Sequence, residues 1–378
     1  MTQLLSLSVA ILAGLLMTRV LKPLRLPRVT AYLIAGVLVG PYCLGALNIE
    51  GLGFPTHESV DSLSIVSQVA LGFIAFSIGS EFRMSSLKKT GRQAVVIGVF
   101  QALAATAFVI AALLIVHLIL PEKISMPQVL TLGAIAAATA PAATLMVVRE
   151  YKAKGEVTEL LLPIVALDDA VGLVVFSVSF GIAQAIASGT LDIVSVIVDP
   201  LLEIVFSLIL GAIMGTLLTV LEKLFFSNSN RLSLTISFVI MTIAMASREF
   251  ELGGGVKIGF SPLLVCMMLG TVFCNFSEYS VDIMNRSSKW TAPLYALFFV
   301  LSGAELDLGV FRYPATILIG VVYILTRCIG KYTGALLGSS LMHCSETVRR
   351  YLGITLFPQA GVALGMVVTA QALGDQMG

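Results

Sequence analysis

The sequence predicts an all-α polytopic membrane protein of about twelve spans, and three observations carry that reading. The chain has 378 residues, of which 57% are hydrophobic and 12% charged. Soluble domains run to about 25% charged and about 45–50% apolar residues, so this chain lacks the polar residues to cover a water-facing surface. Apolar windows of the length a bilayer core demands, about 20 residues, recur from end to end. Basic residues gather in alternate gaps between those windows, as the loops of a polytopic protein do.

The windows run approximately over 4–20, 28–46, 60–80, 93–118, 127–149, 157–187, 196–224, 231–248, 257–275, 289–308, 313–341 and 347–372. The first, in MTQLLSLSVAILAGLLM, has no charged leading region and no cleavage site, and reads as a spanning helix rather than a removed signal. No long polar stretch separates any two windows, so no soluble domain is expected within the chain. A net charge of +1 gives no general attraction to nucleic acid. The five cysteines, Cys43, Cys266, Cys274, Cys328 and Cys344, have no metal-type spacing and read as small apolar residues.

Orientation follows from the gaps. Arg19, Lys22, Arg25 and Arg28 follow the first window, and Arg83, Lys88, Lys89 and Arg92 follow the third. Continuing by alternate gaps places 17 of the 23 basic residues on one side and only Lys123, Arg248, Lys257 and Arg312 on the other. The positive-inside rule then sets the N-terminus outside and the basic loops in the cytoplasm.

Two basic residues, Arg327 and Lys331, remain and fall inside the 313–341 window; Asp168 and Asp169 fall inside the 157–187 window. Each charge at the bilayer centre costs about 2.5–3.5 kcal/mol, so four unpaired would cost on the order of 10 kcal/mol. They must face the protein interior or a water-filled cavity and pair. Arg327 and Lys331, four apart, share a helix face. Adjacent helical residues differ by about 100°, so the two aspartates cannot share one partner. One can pair while the other faces an aqueous funnel, where a surplus carboxylate is a site for a proton or small cation. A purely stabilising Asp–Arg bridge is the simpler alternative, but it leaves the second aspartate unexplained.

Two windows carry breaks. Pro141 sits in the middle of 127–149, beside Thr139 and Thr144; Pro358 and Gly361 sit in the middle of 347–372. An interior proline frees a backbone carbonyl, which a membrane tolerates only beside protein or water. Two interrupted helices, one in each half, point to an inverted-repeat transporter with its site at the breaks.

Residues 138–176, ATAPAATLMVVREYKAKGEVTELLLPIVALDDAVGLVVF, resemble the cation/proton antiporter superfamily, in particular the two-aspartate, electrogenic branch of bacterial sodium/proton antiporters. LGFIAFSIGSEF (71–82), LFFVLSGAELDL (297–308), TRCIGKYTGALLG (326–338) and FPQAGVALGMV (357–367) extend the resemblance over the chain. It implies an inverted-repeat antiporter fold of thirteen helices in which two broken helices cross and a core bundle moves like an elevator against a dimerisation scaffold. On that scheme residues 93–187 and 313–372 form the core, 4–80 and 231–308 the scaffold, and 196–224 the linker helix. Asp169 is then the cation- and proton-carrying residue, the ligand of the monovalent cation. Asp168 alternates between protonation and a pair with a basic residue of the 313–341 helix. The pattern fits both Arg327 and Lys331, with Arg327 favoured. Thr139 is the polar helper in the break.

Ala140 departs from the family, where many relatives carry an acid, and the chain ends one helix short of thirteen, as in a fragment of a longer protein. The implied activity is exchange of protons for a monovalent cation, Na⁺ foremost and Li⁺ next, by a homodimer in the inner (plasma) membrane. No cofactor is implied beyond the transported ions. Two other transport readings share the architecture: a potassium/proton efflux antiporter with a cytoplasmic regulatory domain, and a sodium-coupled organic-anion symporter. An intramembrane aspartyl protease needs two aspartates facing one scissile bond, which adjacent positions do not give, so no enzymatic activity is expected.

Overall fold

A computed structural model describes residues 2–24, 26–49, 52–80, 82, 84–188, 199–248, 250–252, 256–359, 363, 366, 367 and 370. Each predicted window holds a helix. The first three are α1 (Thr2–Val20), α2 (Arg28–Val39) and α4 (Ser64–Gly79), with a one-turn α3 (His57–Asp61) ahead of α4. There follow α5 (Met84–Ile119), α6 (Met126–Ile135), α7 (Pro141–Glu150), α8 (Glu156–Ser188) and α9 (Asp199–Leu221). The remainder are α10 (Asn228–Ala246), α11 (Pro262–Phe276), α12 (Ser280–Ala304), α13 (Pro314–Leu341) and α14 (Glu346–Thr355). Among the described residues, eight helices are long and apolar enough to cross a membrane, and Ser64–Gly79, Met126–Ile135 and Pro262–Phe276 are shorter apolar helices.

The window expected at 257–275 begins later than its sequence suggests. Phe250–Leu252 pairs antiparallel with Val256–Ile258, so the helix starts only at Pro262. An aromatic residue on the first strand and two β-branched residues on the second favour this pairing.

The largest buried cluster unites α1, α2, α4 and α9 to α12, and takes in Ala142 and Leu145 of α7 and Leu162 and Ala166 of α8. Smaller clusters join α5, α8, α13 and α14 around Ile97, Ile164 and Leu352, and α6 with α8 around Ala138 and Phe176. Helices α5 and α13 pack with backbones nearly touching. A Cβ on Gly330, Gly334 or Gly338 would lie 2.6 Å from Ala105 Cα, 2.5 Å from Gln101 Cα and 2.9 Å from Ile97 Cα respectively. Small residues every fourth position give this approach, which in a membrane supplies dispersion energy where the hydrophobic effect between helices is absent. The approach fixes the rotation of α13 and turns Arg327 and Lys331 toward the middle of the α5–α8 group.

Candidate functional site

The site forms where two helices are interrupted. Ser125 begins α6 with a capping box, accepting from Gln128 N while Gln128 reaches back to its amide. The helix ends at Ile135, closing with bonds from the Ala136, Ala137 and Ala138 amides to Leu132, Ala134 and Ile135; Pro141 then opens α7 at a position where its missing N–H costs nothing. A second interruption follows α14, which Ser345 caps and which ends at Thr355. The two breaks meet directly: Ala140 N–H donates to the carbonyl of Pro358 at 2.9 Å.

An interrupted helix leaves carbonyls without intrahelical donors and a partial negative charge at its C-terminal end. Here three side chains supply donors to four successive carbonyls. Gln359 Nε2 donates to Ile135 O at 2.8 Å. Arg327 donates from Nε to Ala136 O at 3.1 Å and from Nη2 to Ala138 O at 2.6 Å, and its Nη1 reaches Phe357 O across the second break at 2.6 Å. Lys331 Nζ donates to Ala137 O at 2.5 Å. The planar guanidinium fork presents three separate nitrogens to carbonyls spread over both breaks, a reach that the single nitrogen of a lysine ammonium lacks. Tyr323 holds Gln359 in place by donating to its Oε1 at 3.0 Å.

The lysine ammonium then turns to the carboxylate. Lys331 Nζ lies 3.1 Å from Asp168 Oδ2 and 2.9 Å from Thr139 Oγ1. Thr139 Oγ1 donates to Asp168 Oδ2, and Gln101 Nε2 donates to Asp168 Oδ1. Asp168, Lys331, Thr139 and Gln101 are all fully buried, and Arg327 is 3% exposed. Such a pair endures in a low-dielectric interior only with its remaining polar valences satisfied. The ammonium has three acceptors and the carboxylate three donor groups around it.

Arg327, favoured as the partner of Asp168, is not that partner. The ion pair is Asp168–Lys331, and Arg327, one turn away, is taken up by backbone carbonyls of both breaks. Thr139 and Pro141 lie at the first break and Pro358 at the second, joined through the Ala140 amide and the Pro358 carbonyl. Asp169 occupies the next position of α8, but its side chain lies outside the described residues, as does Gly361. Thr144 is buried, its hydroxyl has no hydrogen-bond partner among the described residues, and it stands apart from the network. Gln101, Gln359 and Tyr323 also belong to the network and are not among the residues expected from the sequence. Gln101 carried a usable signal, as the one amide in the apolar run VVIGVFQALAATAFVIAALL.

Comparison with known proteins agrees with this architecture. Residues 7–376 match the family described as "Sodium/hydrogen exchanger, transmembrane". The chain is similar to Cation/H(+) antiporter 19 of Arabidopsis thaliana, with 24% identity over 335 residues, 85% of this chain and 39% of that protein. It is also similar to High-affinity Na(+)/H(+) antiporter NhaS3 of Synechocystis sp. (strain ATCC 27184 / PCC 6803 / Kazusa), with 23% identity over 403 residues, 98% of this chain and 83% of that protein. The chain thus spans about two fifths of the length of the plant relative. Its fold resembles that of the sodium proton antiporter MjNhaP1 from Methanocaldococcus jannaschii, with a TM-score of 0.73 at 18% identity, covering 99% of this chain and 88% of that one. With crossed, interrupted helices, apolar spans and a family match over nearly its whole length, this multi-pass membrane chain belongs to the sodium/hydrogen exchanger transmembrane family.

Proposed function

We propose that the chain is a secondary transporter rather than an enzyme, exchanging protons for a monovalent cation, Na⁺ foremost, through the two-aspartate electrogenic scheme. The observation that carries this reading is the fully buried Asp168–Lys331 pair at the crossing of the two breaks. A paired Asp168 leaves the neighbouring Asp169, about 100° around the helix, as the surplus carboxylate for cation and proton. Proton and cation compete for Asp169: ionised, it binds the cation, and protonation on the other side displaces it. The titrations of the adjacent aspartates are coupled, so the pair, not either residue, has the apparent pKa values.

The identity of the base bears on stoichiometry. A lysine can give up its proton in a buried site, whereas a guanidinium stays charged. An Asp168–Lys331 pair that opens and closes during the cycle therefore supplies a proton in addition to the one exchanged at Asp169. Moving more protons than cations makes exchange electrogenic.

The moving unit in this proposal comprises α5 to α8, α13 and α14, and the scaffold comprises α1 to α4 and α10 to α12, with α9 as linker. Two features support this division: the site residues all come from the first group, and the buried clusters separate along the same line except at α7 and the first half of α8. Homodimerisation through the scaffold and residence in the inner membrane with the N-terminus outside complete the proposal.

The test is a panel of Na⁺, Li⁺ and K⁺ added to proteoliposomes holding a pH gradient, read with a pH-sensitive dye across pH. Dequenching by Na⁺, or Na⁺ and Li⁺, without organic solute supports the reading. Response to K⁺ alone favours potassium/proton exchange, and no response without an organic anion favours a symporter.

A further inference from the structure

A second feature lies away from the ion site, on the face carrying the basic loops. The end of α1, the start of α2 and the end of α7 border a half-open cavity of about 920 Å³ whose lining includes Leu15, Leu16, Arg19, Lys22, Leu26 and Arg28. Its chemistry is divided. Leu15 and Leu16, 51% and 57% exposed, lie within a span that faces outward along most of its length. Arg19, Lys22 and Arg28 stand at the helix ends, where a bilayer's headgroups begin.

The charges do not balance. Glu150 is the one acid in the lining, and it is engaged: Arg28 Nε lies 3.5 Å from its Oε1, and the Arg28 amide donates to its Oε2 at 2.9 Å. This carboxylate both pairs with Arg28 and satisfies an orphan amide at the N-terminus of α2. Arg19 and Lys22 have no ion pair with any described residue. The cavity thus joins two uncompensated cations to an apolar floor open to the membrane.

We propose that this cavity binds an anionic phospholipid, its phosphate between Arg19 and Lys22 and an acyl chain along Leu15, Leu16 and Leu26. Each basic residue near a headgroup contributes about tenfold or less in affinity for an anionic lipid, and two acting together give tenfold or more over a zwitterionic lipid. Because the cavity lies between α1–α2 and α7, a lipid there bears on the contact that Arg28 and Glu150 make.

The experiment is native mass spectrometry of the full chain in neutral detergent, titrated with phosphatidylglycerol or phosphatidylcholine of equal chain length. The first bound phosphatidylglycerol should bind at least about tenfold tighter than phosphatidylcholine. Arg19→Gln with Lys22→Gln should erase that preference. Lys223→Gln with Lys289→Gln, which removes equal charge elsewhere on the basic side of the chain, should preserve it, and glycerol phosphate should not compete. Equal binding of the two lipids, a preference that survives the Arg19/Lys22 change, or equal loss in the Lys223/Lys289 control would overturn the proposal. Competition by glycerol phosphate at matching concentration would overturn it too, since the apolar floor would then contribute nothing.

Discussion

Lys331 Nζ lies 3.1 Å from Asp168 Oδ2, with both side chains fully buried and with Thr139 touching both. Removing one member leaves the other as an uncompensated charge in the interior, a loss of about 3–5 kcal/mol. Lys331→Gln and Asp168→Asn should each lower thermal stability in detergent by an amount in that range. The double substitution should recover most of the loss. Additive losses would mean that the two residues do not interact.

Arg327 has a structural task distinct from that of Lys331. It donates to Ala136, Ala138 and Phe357 carbonyls and so ties the two breaks together. Arg327→Lys keeps the charge but leaves at least one buried carbonyl bare, at about 1–3 kcal/mol. The expected result is a lower melting temperature despite the conserved charge. Full stability in Arg327→Lys would show that charge, not the fork, is what the breaks require.

Contact between α5 and α13 sets the rotation that brings Lys331 to Asp168. In Gly334→Ala the new Cβ would lie 2.5 Å from Gln101 Cα, so the helices must separate. Overpacking of this kind costs about 1–3 kcal/mol. Gly320, on the same helix, has nothing within 4 Å of its Cβ position. Gly320→Ala should therefore be neutral or stabilising by about 0.5–1 kcal/mol. Thermal unfolding of the two variants side by side measures the difference.

If one net charge moves per cycle, a membrane potential shifts the exchange equilibrium by about 2.3 kcal/mol per 100 mV. That corresponds to about fiftyfold in the cation ratio. Proteoliposomes clamped at two potentials should show this dependence. Exchange indifferent to potential would make the process electroneutral and confine Asp168 and Lys331 to a locking role.

Much of the architecture is legible in the sequence because its causes are local. Bilayer thickness dictates window length, so runs such as 93–118 and 313–341 mark helices without knowledge of their neighbours. Proline chemistry likewise marks the breaks at Pro141 and Pro358. The choice between Arg327 and Lys331 is not local. They share one face of α13, and what separates them is depth: one turn places Arg327 level with the carbonyls of both breaks, and the next places Lys331 level with Asp168. That depth is fixed by the glycine contact with α5, and by a carbonyl cluster that needs a forked donor. Neither appears until the helices are assembled. Gln101 is hidden for the same reason, since a single amide in an apolar run has meaning only once Asp168 lies opposite it.

In the proposed cycle Asp169, relieved of pairing by the Asp168–Lys331 bridge, carries cation and proton at the crossing of the breaks. The most direct measurement is pH-gradient-driven Na⁺ uptake into proteoliposomes by Asp169→Asn, with folding verified by its melting temperature. That role requires a folded protein whose uptake falls at least about a hundredfold, since the neutral amide cannot exchange a proton for a cation. Uptake at the unsubstituted rate would contradict it.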